Sequence, residues 1–248
     1  MATIRAVTCV IRSGDFAPAN LLFAPPLPVF QFPRKENIMR NAILCILLFA
    51  ASAVSAQQAT IPLPAPTRTG GMSLNEALAT RRSVRTFEAT KITLAEVSQL
   101  AWSAQGITND KGGRTAPSAH AMYFLRLYVA RPEGFFEYLP AKHALQQLSA
   151  KDVRAALSTQ ETVKNAPIVF VIAGEYERAA KLTAKEVSQK LVNLEAGHAA
   201  QNLLLQATAL KLGAVSVGGV DAKQTADAAA LPADIVPIYL IPVGHPKP

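Results

Sequence analysis

The sequence predicts an α+β fold, and three observations predict it. Helical and strand-like segments are mixed along residues 57–248 without the strict β-α alternation of a doubly wound sheet. Residues 124–130 alternate, with Leu125, Leu127 and Val129 on one face, and turn through Pro132, Glu133 and Gly134 into residues 135–139, as a hairpin does. Residues 167–173 form a continuous apolar run with β-branched members, the pattern of a central strand. Of 248 residues half are hydrophobic and 17% charged, which excludes a disordered or fibrous chain.

The elements follow in order. Met39-Arg40-Asn41, ten apolar residues (42–51) and then Ala53-Val54-Ser55-Ala56 before Gln57 make a secretory signal peptide over 39–56. The run is shorter than the ~20 residues of a spanning helix, so no stable membrane insertion is expected after cleavage. Residues 1–38, rich in proline, read as an upstream extension of the frame, and the working protein is expected to be periplasmic or secreted. Both cysteines, Cys9 and Cys45, precede the cleavage point, which removes disulfides and thiolate chemistry from 57–248. The 56-residue leader also takes five of the 25 basic and two of the 17 acidic residues, lowering the net charge from +8 to +5. The remaining cations are scattered, so no nucleic-acid partner is expected.

Residues 57–72, with Pro62, Pro64, Pro66, Gly70 and Gly71, read as an extended arm before a domain at 73–248. Ser73 and Glu76 have capping-box spacing for a short helix, as do Thr93 and Glu96 for a second that stops at Gly106. Residues 124–130 read as a half-buried strand. From Lys185 to Leu212 no proline intervenes, which predicts a helix of ~42 Å ended by Gly213. Val187, Leu191, Leu194, His198, Gln201, Leu205, Thr208 and Leu212 recur on it at a 4,3 spacing, and Ala199, Leu203, Ala207 and Leu210 fill an adjacent face. A helix so apolar is buried on two sides, in a core or between subunits. Strands are expected at 214–217 and 235–243.

Three segments could carry chemistry. Arg81-Arg82-Ser83-Val84-Arg85 follows the first helix. In an extended chain Arg81, Ser83 and Arg85 point one way at ~6.6 Å intervals, a cradle for phosphate. Cations at a helix C-terminus also simply complement its dipole, and the pentapeptide supports both readings equally. Pro117-Ser118-Ala119 would let a flat ring approach the backbone, or would merely start a helix. Gly218-Gly219 would leave backbone N–H groups open to a ligand, or would merely turn the chain. The four histidines, His120, His143, His198 and His245, lack ligand spacing, so no metal site is expected.

Taken in order, these segments, with Glu195-Ala196-Gly197-His198, Gln201-Asn202-Leu203, Leu210-Lys211-Leu212-Gly213 and the closing 237–246 stretch, resemble the nitroreductase superfamily of FMN enzymes. Residues 134–140 with His143 and Leu145 resemble its thiazole/oxazole-forming dehydrogenase branch most. The resemblance implies a three-layer homodimer with a central, mainly antiparallel sheet flanked by helices. It assigns Arg81, Arg82, Ser83 and Arg85 to the FMN phosphate and ribityl chain, and Pro117, Ser118 and Ala119 to the flavin, often of the partner subunit. Gly218 and Gly219 fall where a strand end faces flavin N5, and Lys247 where a terminal cation meets the phosphate. It assigns no catalytic side chain, because the flavin carries the electrons. A small oxidised acceptor, such as a nitroaromatic or quinone, is the implied substrate. Dehydrogenation of a peptide or heterocycle and flavin carriage without fast turnover are the alternatives. NAD(P)H, a donor for such enzymes, is not expected outside the cytoplasm. The azoline-oxidising branch carries a Lys-Tyr pair where this chain has Lys181-Leu182, which argues against that chemistry here.

Overall fold

The computed structural model describes residues 59–247, all within one compact unit. The signal peptide, the Ala56/Gln57 junction and the 1–38 extension lie outside the described residues.

Strand β1 (Thr60–Pro62) leads to helix α1 (Leu74–Thr80) and helix α2 (Leu94–Gln105). The Ser73 hydroxyl accepts the Glu76 N–H at 3.2 Å at the start of α1. At α2 the capping is reciprocal, with the Thr93 N–H donating to Glu96 at 2.7 Å and the Glu96 N–H to the Thr93 hydroxyl at 3.2 Å. Val97, Leu100, Ala101 and Ala104 then recur at helical spacing and are fully buried.

The hairpin is present as β2 (Leu125–Arg131) and β3 (Gly134–Leu139). It continues into β4 (Ala144–Ser149), a strand without β-branched residues that periodicity does not reveal. Helix α3 (Glu161–Lys164), strand β5 (Ile168–Gly174), helices α4 (Tyr176–Ala180) and α5 (Lys185–Ala209), strand β6 (Gly213–Ala214), helix α6 (Ala222–Ala229) and strand β7 (Val236–Gly244) complete the order. The seven strands form one sheet in the order β1-β4-β3-β2-β5-β7-β6 with every ladder antiparallel. Ser83 adds a single parallel bridge to Ala214 at the β6 edge.

Two cores lie on opposite faces of this sheet. On β5, Ile168, Phe170 and Ile172 join one, and Val169, Val171 and Ala173 the other. The α+β, three-layer reading therefore holds. The half-buried reading of β2 does not: Leu125, Leu127 and Val129 enter one core, but Tyr128 and Ala130 enter the second and are equally buried. A tyrosine on the second face looks polar in sequence, yet its ring stacks on Phe135 at 5.3 Å.

Helix α5 differs in two respects. At 25 residues it spans ~37 Å and ends before Gly213. Lys211 takes the left-handed conformation (φ 60°), and the Leu212 N–H closes on the Ala207 carbonyl at 2.8 Å. Gly213 instead lies in β6, where a Cβ would come within 2.8 Å of the Val84 Cβ, so glycine serves close packing there. The covered face of α5 carries Val192, Ala196, Ala199, Leu203 and Ala207. The 4,3 stripe turns away from that core over 187–208, where Val187 and Leu194 are 47% and 49% exposed, while its last member, Leu212, lies past the helix end and is buried in the core.

The arm is tied down where it is described. β1 pairs with β4, and the Leu63 N–H donates to the His143 carbonyl at 3.0 Å. The Ser98 hydroxyl and the His143 ring meet at 2.7 Å, and both reach the Pro64 carbonyl. His143 is thus a packing residue that holds the arm.

Candidate functional site

Helix α1 ends at Arg81, whose N–H still closes on the Ala77 carbonyl at 2.9 Å. The chain then runs extended along the sheet edge, with Ser83 bridged to Ala214 and the Val84 N–H donating to the Ala214 carbonyl at 3.0 Å. Phe87 bridges Pro246, and the Lys247 N–H donates to the Thr86 carbonyl at 3.2 Å. Lys247, distant in sequence, is therefore fastened beside the arginine segment.

The three arginines of that segment differ. Arg82 turns back and donates to the carbonyls of Ala79 (3.0 Å) and Arg81 (2.8 Å), capping α1 as a C-terminal cation does. The guanidiniums of Arg81 and Arg85 have no acceptor among the described residues, and Arg85 is exposed. Two forks so left keep their donors for an anion.

From Ala214 the chain reaches Val217, which exchanges both backbone hydrogen bonds with Leu240 (2.8 and 3.1 Å). Gly218 and Gly219 follow, exposed, with nothing within 4 Å of a Cβ placed on Gly219 and no acceptor for either N–H among the described residues. Open backbone at the end of a buried strand admits close approach by a planar ligand.

No bridge or hydrogen bond joins Pro117, Ser118 and Ala119 to the β6 edge among the described residues; they are held from α5 instead. Ser118 donates to Glu195 on α5 at 2.6 Å and accepts the Tyr123 N–H at 2.8 Å. The Phe124 N–H also donates to Glu195, at 3.3 Å. Between these anchors His120, Ala121 and Tyr123 adopt positive φ of 53°, 54° and 50°, a concentration of costly backbone that the anchors must hold. Arg178 holds the same segment from the other side through the Met122 and Tyr123 carbonyls.

Glu195 is 2% exposed. Burial raises its carboxyl above the ordinary carboxylate value, opposed by the Ser118 and Phe124 hydrogen bonds and by Arg114 and Arg178. Its Oε1 is buried without a partner among the described residues. Glu195 lies in the 195–198 motif, where the sequence alone assigns it no role. The available signal was a carboxylate on the face of α5 that also carries Val192, Ala199 and Leu203. Gln105 and Arg114, which meet at 2.6 Å, gave no signal, since one ends a helix and the other sits in a glycine-rich loop.

The Nitroreductase family model matches residues 78–245. A protein of Methanocaldococcus jannaschii, named as a nitroreductase, is 35% identical over 184 residues, which are 70% of this chain and 91% of that one. The crystal structure of a protein of Ralstonia eutropha JMP134, also named as a nitroreductase, superposes with a TM-score of 0.73 at 32% identity, over 79% of this chain and 93% of that one. A chain of the Escherichia coli microcin synthetase McbBCD complex shares the fold at 17% identity, with a TM-score of 0.58 over 81% and 82%.

Proposed function

The chain belongs to the Nitroreductase family of oxidoreductases, and on that premise we propose that it is an exported, FMN-dependent homodimer that passes electron pairs from a donor to a small oxidised acceptor. The observation that carries the reading is the pair of unengaged guanidiniums, Arg81 and Arg85, on the strand beside β6. With the Ser83 hydroxyl between them and Lys247 next to Thr86, the donor set fits a phosphate monoester. Arg82, spent on the helix end, contributes charge rather than hydrogen bonds. Gly218 and Gly219 offer N–H groups and space for a flat ring.

When bound, FMN supplies the electron-pair chemistry. The residues of this chain hold and orient it: Arg81 and Arg85 clamp its anionic end, and the glycine pair lets its ring meet backbone. Pro117, Ser118 and Ala119 would line the flavin of the partner subunit, as the family resemblance implies. The uncovered stripe of α5 supplies the surface for that subunit, because soluble monomers rarely leave such an apolar face open. A dimer burying more than about 2,000 Å² follows, and a monomer in light scattering with flavin bound would contradict it.

Reduction of a nitro group or quinone fits better than oxidation of an azoline, which needs a positioned base. Lys181 ends α4, Leu182 is 55% exposed, and the nearby Tyr176 hydroxyl is committed to Asn193. The chemically reduced protein should be reoxidised readily by a nitroaromatic or quinone. Azoline peptides should reduce the oxidised flavin ~10²–10⁴-fold more slowly than an enzyme with a base in place. Stopped-flow absorbance of the flavin reads both half-reactions. A colourless purified protein would end the FMN reading, and a coloured one inert to every acceptor would make it a carrier. N-terminal sequencing from the native host checks export, with Gln57 the expected first residue.

A further inference from the structure

Strand β7 is irregular beside the glycine pair. Ile172 of β5 stands opposite Tyr239 and Ala173 opposite Pro237, so Ile238 is an extra residue, a bulge. Ile238 and Tyr239 both pack on the core that holds Ile172, although successive strand residues ordinarily take opposite faces. Bulges re-aim side chains, and this one sits next to the place where the chain leaves Val217 for Gly218.

The side chain it aims is Tyr239. Val217 stands opposite Leu240, which puts Gly218 opposite Tyr239 on the other face. A Cβ placed on Gly218 would lie 3.2 Å from Tyr239 Cε1 and 3.8 Å from its Cδ1, so the ring lies over the glycine. Cε1 adjoins the carbon that bears the hydroxyl, which brings the phenol oxygen to the glycine pair. That hydroxyl has no hydrogen-bond partner among the described residues. The residue is half-buried, yet its oxygen is not one of the partnerless atoms sealed from solvent, as the Trp102 Nε1 is. Covering a cross-strand glycine needs only an aromatic body, for which phenylalanine would serve as well. The open hydroxyl is what packing leaves unexplained.

We propose that the Tyr239 hydroxyl donates a hydrogen bond to the flavin ring at Gly218 and Gly219, and that this bond favours the reduced ring. The inference rests on the flavin reading above and adds a side chain to it. A neutral phenol can donate to a ring carbonyl or nitrogen. Two-electron reduction with one proton leaves negative charge on those atoms, so the same bond becomes charge-assisted and stronger. A donor held more strongly by the reduced ring raises its reduction potential, one of the ways a protein tunes a cofactor. Tyr239 neither gives up its proton nor forms a covalent bond in this role.

Tyr239→Phe tests the assignment, because it keeps the ring over Gly218 and removes the hydroxyl alone. The flavin midpoint potential, from reductive titration against a reference dye, should fall by about 30 mV, a tenfold change in the two-electron equilibrium. FMN and riboflavin should both weaken roughly two- to tenfold and to the same degree, whereas Arg85→Ala should largely spare riboflavin. The urea midpoint of the flavin-free protein should not move. A ring-fluorinated tyrosine at the same position, a stronger donor, should raise the potential, and it stands in if the first variant fails to fold. An unchanged potential in flavin-loaded Tyr239→Phe would overturn this inference alone and leave Tyr239 as packing over a glycine. A wild type that takes up no flavin would overturn it together with the FMN reading. A loss of affinity confined to FMN would overturn it too, since the hydroxyl would then serve the phosphate.

Discussion

The 81–86 edge and the 114–124 loop both present arginines near the chain's sites, but they use them in opposite ways. At the edge, Arg81 and Arg85 stand outside the core with no acceptor, on backbone already secured by Ala214, Thr162 and Lys247. At the loop, Arg178 from α4 and Glu195 from α5 are consumed in holding three residues at positive φ. The comparison teaches that charge left unpaired on a rigid edge is available to a ligand. Charge spent on a strained loop is structural, and a site that depends on the loop depends on it indirectly.

The largest effect should come from the loop. Glu195→Ala strands the Ser118 hydroxyl and the Phe124 N–H in a buried place, and should cost about 2–4 kcal/mol in urea unfolding. A loss below about 0.5 kcal/mol would break the comparison, because the loop would then hold itself.

The same residue gives a pH dependence with a definite sign. Because burial raises its carboxyl in the folded chain, the folded state keeps a proton that the unfolded state has released. Stability should therefore fall as pH rises from the ordinary carboxylate range through the raised value, and stay lower above it. Glu195→Gln cannot ionise and should lack this fall. Urea midpoints across that window compare the two, and parallel curves would remove ionisation of Glu195 from the account.

At the edge the order of effects should reverse. Arg85→Ala should leave stability within about 0.5 kcal/mol and weaken FMN by about 1.5–3 kcal/mol, a ten- to hundredfold loss. Riboflavin, without the phosphate, should be far less affected. Equal losses for both ligands in a fluorescence titration would take the phosphate away from this segment.

The smallest effect sharpens the contrast within the edge itself. Arg82→Ala should cost about 0.3–1 kcal/mol of stability through the lost α1 cap and change FMN affinity less than Arg85→Ala does. A larger affinity loss at Arg82 would mean that the side chain leaves the helix end when ligand binds.

The sequence by itself determined what rests on local pattern and short-range chemistry. The caps at Ser73 and Thr93, the 131–134 turn, the apolar run of β5 and the ordered motifs that mark the family were legible because each depends on neighbours a few residues away. The extended course of the chain after Arg81 was legible for the same reason. Only the tertiary structure decided the rest. Strands β1 and β4 exist because they pair with each other and with β3, not because Thr60–Pro62 or Ala144–Ser149 favour the strand conformation. Periodicity marked the 4,3 stripe of α5 but could not tell the side facing the sheet from the side facing out, since both carry apolar residues at helical spacing. Arg82 and Arg85 are indistinguishable in sequence, and the direction of one side chain toward two free carbonyls separates them. Glu195 and Gln105 gained their meaning only when folding carried them out of water, where a carboxylate and an amide must find partners or pay for lacking them.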